Sequence, residues 1–223
     1  MIMLIVLVLF LNAVAVQILL LLWLGWPGGA MAGIALAALL VAAYVWIIKP
    51  WHLRWGATDA EVAMAMPGDE LIPGAKSATR AITIDATAEQ VWPWLVQLGF
   101  GKAGWYSYDW IDNDFKPSAD RILPEYQDLR VGDKILMMPT MGFVVEDIDE
   151  PRSIVSVLED GSTSWCLGLN AGAGGTRLVS RWRPKLAMTP ATFLMSMLAE
   201  PGTFIMEQKM LRTIRDRVEG YRE

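Results

Sequence analysis

The chain has 223 residues, is 54% hydrophobic, and carries 19 basic against 24 acidic side chains for a net charge of −5. That balance excludes a nucleic-acid surface, which needs a basic footprint. A single cysteine, Cys166, excludes an intrachain disulfide and a cysteine metal cluster, and a single histidine, His52, leaves little room for histidine chemistry.

The apolar excess lies at the start. Residues 1–48 contain no Asp, Glu, Lys, Arg or His, and the first charge is Lys49. Residues 3–26 and 30–48 are each long enough to span a bilayer, which takes roughly 20 apolar residues. Only "WPGG" (26–29) joins them, so the expectation is an antiparallel transmembrane hairpin turning at 26–29. A secretory signal is disfavoured because the basic leading region is missing and a second span follows at once. Trp23 and Trp26 mark one interface and Trp46, Trp51 and Trp55 the other, the pattern of an aromatic belt. Lys49, His52 and Arg54 follow the second span, which makes the chain multi-pass with both termini and the remaining chain in the cytoplasm. Gly29, Gly33 and Ala37 form a small-residue stripe for close helix approach. Asn12 and Gln17 can hydrogen-bond across a helix contact. These groups serve either the hairpin itself or docking onto an integral membrane partner.

Residues 1–55 are thus read as hairpin and interfacial segment, and residues 56–223 as a separate domain. "TRAITID" (79–85) alternates as a strand. "TAEQVWPWLVQLG" (87–99) is a helix with a Thr87/Gln90 capping box and a Val91, Trp94, Leu95, Leu98 stripe. "GKAGWYSYDWIDND" (101–114) follows, with four rings in six positions. Five further strands, 133–139, 142–149, 153–160, 163–170 and 176–184, are separated by brief turn signals and predict an antiparallel meander. On the last strand Trp182 is expected to face inward, with Arg181 and Arg183 outward. Asp120, Arg121 and Glu125 are either an ion-pair node or the polar end of a cavity. Thr189 caps a helix with Pro190 at its first position. "EPG" (200–202) is expected to interrupt it. Residues 203–222 continue with a stripe of Phe204, Leu211, Ile214, Val218 and Tyr221, and with Arg212–Asp216 and Arg215–Glu219 pairs on the wet side. Residues 191–199 are so apolar that Leu194 and Met197 are assigned either to a membrane contact or to the core.

The segments "WGATDAEVAMAMPGDELIP" (55–73), "VWPWLVQLG" (91–99), "GWYSYDWIDN" (104–113), "SADRILPEYQDLRVGD" (118–133) and "EPGTFIMEQKMLRTI" (200–214) resemble the SRPBCC superfamily. This is the START/Bet v 1-like, polyketide cyclase/dehydrase-like group, and the nearest likeness is to its bacterial membrane-anchored branch. The resemblance implies an α+β helix-grip fold, an antiparallel sheet curved around a long C-terminal helix with an apolar ligand between them. In that frame residues 105–113 form a short helix sealing the sheet edge, and Trp105, Tyr106, Trp110 and Trp182 are the candidate ligand-lining residues. Their other reading is plain closure of the barrel mouth, with Asp109, Asp112 and Asp114 facing water or capping helix ends. No catalytic residue, cofactor or metal is assigned. The expected function is a membrane-tethered binding module for a lipid, quinone or isoprenoid-like molecule. An accessory subunit docking through the hairpin is the alternative, and a polyketide cyclase-like enzyme the third.

Overall fold

The computed structural model describes residues 2–185 and 189–221, without the side chains of 2–10, 190, 191 and 193–198. The chain divides into two compact units, Met1–Trp51 and His52–Glu223.

In the first unit, α1 (Ile2–Ala43) is broken at Gly25, whose φ of 69° and ψ of 173° lie outside the helical region. Glycine takes this conformation at no steric cost. Pro27 follows in the first turn of the second half, where its missing N–H leaves nothing unsatisfied. Gln17 Nε2 donates to the Gly29 carbonyl at 3.2 Å. A Cβ on Gly29 would come 2.5 Å from Leu21 Cα, and one on Gly33 would collide with the Gln17 side chain. Residues 12 apart in an unbroken helix stand about 18 Å apart. The two halves therefore lie against each other. The reversal comes at Gly25, ahead of the expected 26–29, because Gly28 and Gly29 are already helical. A π-helical turn (Tyr44–Ile48) and α2 (Lys49–Leu53) complete this run. Leu11–Leu53 is long and apolar enough to cross a membrane by length and composition.

The second unit begins with α3 (Asp59–Ala63), capped by Thr58 through a complete capping box with Glu61. β1 (Ala78–Ile84), α4 (Ala88–Val96) and α5 (Asp109–Asp112) follow. Then come β2 (Lys134–Met138), β3 (Met141–Asp149), β4 (Ser153–Leu158), β5 (Thr163–Gly172), β6 (Gly175–Pro184) and α6 (Pro190–Gly220). The six strands form one antiparallel sheet in the order β1-β6-β5-β4-β3-β2. Register slips between Leu136 and Met138, and between Val145 and Asp147. Such bulges bend a strand and re-aim its side chains. The curled sheet with α6 against it is a helix-grip α+β fold.

The sheet has two covered faces. Toward the helices, Ile82, Ile84, Phe143, Ile154, Trp165, Leu167 and Leu178 pack with Trp94, Leu95, Leu211 and Ile214. On the other face Ala81, Val155, Cys166 and Val179 pack with Met66 from the segment after α3. That segment is pinned by the outward arginines of β6. Arg177 grips Glu61 with two bonds of 2.8 Å. Arg181 donates to Asp69 Oδ2 at 2.8 Å and to the carbonyls of Met64 and Glu61. Arg183 reaches the Ile72 carbonyl at 3.2 Å. Arg181 does face outward, yet it is only 3% exposed because this strap lies over it.

Three expectations about helices need correction. The short helix spans 109–112 only, because Tyr106 takes φ of 55° and cannot belong to a helix. α6 runs unbroken through Pro201 and Gly202, with Thr203 Oγ1 donating to the Glu200 carbonyl at 2.9 Å. The expected i, i+4 pairs on α6 are not formed. Arg212 lies over the Trp55 ring, Arg215 pairs with Asp216, and Glu219 accepts from the Asp85 backbone N–H. Arg212 and Glu219 found tertiary partners that sequence spacing does not reveal, and Arg215 took its sequence neighbour.

Candidate functional site

A cavity of about 160 Å³ lies between the inner sheet face, α6 and the loop that leads into α5. Its apolar wall is Trp105, Met137, Trp182, Met206 and Met210. Met137 sits where β2 slips register against β3, which aims it differently from its neighbours. The wall is stiffened from behind by rings. Trp182 stacks on Trp165 at 5.1 Å and meets Phe143 edge-on at 5.2 Å, while Trp105 lies 5.7 Å from Trp165. Trp105 is fixed by its own hydrogen bond, Nε1–H to the Leu136 carbonyl at 3.1 Å.

The polar lining is sparse: Ser107, Asp112, Thr203 and Glu207. Glu207 comes from α6 and is 6% exposed. It is ion-paired with Arg80 of β1, itself 3% exposed. Arg80 also donates through Nε to the His52 carbonyl at 2.9 Å. Its Oε2 takes the Arg80 guanidinium, and the Ser180 and Trp182 side chains lie against the carboxylate at looser geometry. Burial drives the Glu207 carboxyl upward, against the pull of Arg80, Ser180 and Trp182. Ser180 is held on its other side by Trp165 Nε1–H at 2.9 Å.

Asp112, from α5, is the second carboxyl. Neither of its oxygens has a partner of hydrogen-bonding geometry. Burial raises its pKa to about 6; repulsion from Asp109 adds to the rise, and the nearby Ser107 hydroxyl opposes it. Ser107 Oγ itself donates to the Met206 carbonyl at 3.0 Å, which ties the loop to α6. An apolar chamber with a few fixed polar groups can seat the polar end of an apolar molecule, and Asp112, raised to about 6, can take up a proton in mildly acid conditions.

The sequence-named residues separate into two groups. Trp105 and Trp182 line the cavity. Tyr106 and Trp110 do not. Tyr106 is buried beside α4, where its hydroxyl accepts from Gln97 Nε2 at 2.6 Å and the Arg217 guanidinium covers its ring at 4.5 Å. Burial pushes its phenol up to about 12. Its left-handed backbone turns the side chain away from the cavity, which helical spacing does not foresee. Trp110 meets Tyr108 edge-on at 6.3 Å, outside the cavity. Asp120, Arg121 and Glu125 make no ion pair among the described residues, and Arg121 serves through its carbonyl, which accepts from Gln97. Gly29 and Gly33 face Leu21 and Gln17, while Asn12, Ala37 and Trp51 are exposed. Trp55 is seated on the domain, edge-on to Phe204 at 6.3 Å and beneath Arg212. The side chains of Leu194 and Met197 lie outside the described residues.

Asp112 was expected to face water or cap a helix end and instead lines the cavity; Ser107 and Glu207 were not singled out from sequence, although two signals existed. Glu207 falls three after Phe204 and four before Leu211, within the buried stripe of α6. Arg80 alternates with the inward Ile82 and Ile84. A charge at a core position of each element marks a buried pair. Among the described residues no group of three or more His, Cys, Asp or Glu side chains comes together to hold a metal ion.

No family model matches the chain, and the comparison with curated proteins found no match. Solved structures similar to it include an AHSA1-like protein from Aeromonas hydrophila, at 15% identity and a TM-score of 0.38, over 66% of this chain and 99% of that one. A Polyketide_cyc-like protein from Corynebacterium glutamicum matches at 14% identity and a TM-score of 0.32, over 67% of this chain and 90% of that one. CalU16 from Micromonospora echinospora matches at 19% identity and a TM-score of 0.34, over 68% and 90%. Likeness at this level says nothing about activity, so function is argued from the site.

Proposed function

We propose that the protein is a membrane-tethered binding module for an apolar or amphiphilic small molecule of lipid, quinone or isoprenoid type. The observation that carries the reading is the cavity: about 160 Å³, walled by two indoles and three methionines, with a few polar groups at fixed places. An apolar cavity of about 150 Å³ is large enough to bind a benzene-sized body. Methionine side chains adapt to irregular ligands.

The tether rests on the charge-free start of the chain. Each half of α1 approaches the roughly 20 residues a bilayer needs, so both cross it, and the basic residues after Ile48 keep the domain cytoplasmic. An accessory subunit docking through the hairpin is less favoured, because Gly29 and Gly33 of the small-residue stripe already face Leu21 and Gln17.

The test is extraction of the full chain from native membranes in mild detergent, followed by mass spectrometry of small molecules that co-purify. One apolar species near one per chain is expected, lost when Met206→Trp and Met210→Trp fill the cavity. Equal recovery from the filled variant would overturn the reading. A cysteine at Lys116 should stay unlabelled by an impermeant maleimide in intact cells; labelling there would reverse the topology.

A further inference from the structure

The charges that border the cavity do not cancel. Of the residues that line it, only Glu207 and Asp112 carry ionisable side chains of acid type, and none carries a cation. Glu207 is paired with Arg80 of β1, so those two groups sum to zero. Asp112 forms no ion pair among the described residues. The groups against its carboxyl are the Ser107 hydroxyl and the backbone of Asp112 and Tyr108, which are polar but uncharged. The charge it feels is that of Asp109 in the same turn, which repels it. Arg217 of α6 is committed elsewhere, over the Tyr106 ring and to the Ser118 carbonyl, with Asp109 and Asp120 as the anions around it. The loop after α5 adds Asp114 and Lys116, both exposed to water. The walls given by β2 and β6, Met137 and Trp182, are uncharged. An ionised Asp112 therefore leaves an apolar chamber bordered by one uncompensated negative charge.

We infer that Asp112 sorts ligands by the charge of the head group: the cavity admits an apolar molecule with a neutral or ammonium head and turns away its carboxylate counterpart. The inference rests on the proposed binding function and adds the head-group class to it. No direct hydrogen bond to Asp112 is required. Charges act over several ångströms where indoles and thioethers replace water, and salt screens them little there. Repulsion built against the wrong partner is an ordinary source of specificity.

The sorting follows the proton on Asp112. Burial raises this carboxyl to about 6, so it is mostly ionised at pH 7.5 and mostly neutral at pH 5. A ligand carboxyl of ordinary pKa, about 4, is still mostly ionised at pH 5, and an alkylamine, at about 10, stays charged at both. Lowering the pH therefore removes the protein's charge and not the ligand's. Exclusion of the carboxylate is strong above the Asp112 pKa and fades below it.

The test uses the full chain in nanodiscs of zwitterionic lipid, with binding to empty nanodiscs subtracted. Three probes built on one ring are titrated by equilibrium dialysis: p-xylene, 4-methylbenzylamine and 4-methylbenzoate. The amine-to-benzoate affinity ratio cancels the general cost of bringing a charge into an apolar site. A ratio of roughly ten or more is expected at pH 7.5, falling roughly fivefold or more at pH 5, while p-xylene affinity changes less than about threefold. Asp112→Asn should bring the ratio at pH 7.5 down to the pH 5 value of the unaltered protein and remove its pH dependence. Asp114→Asn changes the net charge by the same amount outside the lining, at a left-handed position that asparagine tolerates, and should leave the ratio as it is. Amine and benzoate that bind alike, or fail alike, at pH 7.5 overturn the inference and leave an apolar binding module standing on p-xylene. Preference for benzoate, a ratio that does not change with pH, or an Asp112→Asn protein that keeps the ratio overturns it as well. A ratio that collapses equally in Asp114→Asn assigns the effect to net charge and also overturns it. If none of the three probes binds, the proposed binding function falls and the inference with it.

Discussion

Asp112→Asn should stabilise the protein above neutral pH and do nothing at acid pH. Burial lifts the folded-state pKa of Asp112 from 3.8 to about 6. The folded state therefore holds this proton more tightly than the unfolded chain. Between roughly pH 4 and pH 6 the folded form binds more protons than the unfolded one, so stability falls as pH rises through that window and is flat on either side. Below the unfolded pKa the stability associated with the protonated group is fully present; above the folded pKa it is lost. A shift of this size corresponds to a ceiling of about 3 kcal/mol. Solvent still reaches part of the residue, and screening reduces the figure to about 1.5 kcal/mol. Asparagine keeps the shape and removes the charge, so the variant escapes that penalty. For a domain of this size the gain at pH 8 corresponds to roughly 3–6 °C in Tm. The assay is thermal unfolding followed by near-ultraviolet circular dichroism at pH 4 and pH 8. The variant should melt above the parent at pH 8 and with it at pH 4. A lower Tm at pH 8, or an offset independent of pH, would show that Asp112 is not a strained, unpartnered carboxylate and would refute the reasoning.

A fragment of residues 52–223 should give a soluble, cooperatively melting domain, whereas one beginning at residue 57 should lose about 3 kcal/mol or more in urea. The shorter form gives up the His52 carbonyl that holds Arg80 and the Trp55 carbonyl that accepts from Ala81 N–H at 3.1 Å; equal midpoints would refute this. Asp69→Ala should cost about 2–4 kcal/mol, read by chemical denaturation, because it leaves the buried Arg181 guanidinium without its carboxylate. A loss below about 0.5 kcal/mol would mean the backbone carbonyls alone satisfy that cation. Cys166, whose thiol burial pushes up to about 12, should resist iodoacetamide at pH 8 in the native state and react once the chain is unfolded. Rapid native labelling would count against its burial under the strap.

The strands were legible because alternation and turn residues act locally. β6 shows both the reach and the end of that logic. Its alternation places Trp182 inward and Arg181 and Arg183 outward, and the structure has them so, with Arg177 on the same outward face. What alternation cannot say is that the outward face is dry. The strap that covers it lies more than a hundred residues earlier, and it is held by carbonyls and two carboxylates, which leave no periodic trace. The motif "WGATDAEVAMAMPGDELIP" carried the resemblance without revealing its task. Its Glu61 and Asp69 are the anions that let β6 bury cations. Burial works to raise the Glu61 carboxyl, but bonds from Arg177 and Thr58 outweigh it and hold it below the ordinary range.

The aromatic run from Trp105 to Trp110 failed as a helix for a single reason: Tyr106 is left-handed, so one turn of backbone divides four rings among three tasks. Trp105 goes to the cavity, Tyr106 to the packing beside α4, and Tyr108 with Trp110 to a half-buried pair outside the cavity. Ring density alone therefore overstated the site. The better signal was a charge out of place. Arg80 and Glu207 each occupy a position that their element's own pattern assigns to an apolar residue, and they meet across 127 positions of sequence. Replacing such a pair by hydrocarbon is commonly neutral or stabilising, so stability gives it no purpose here.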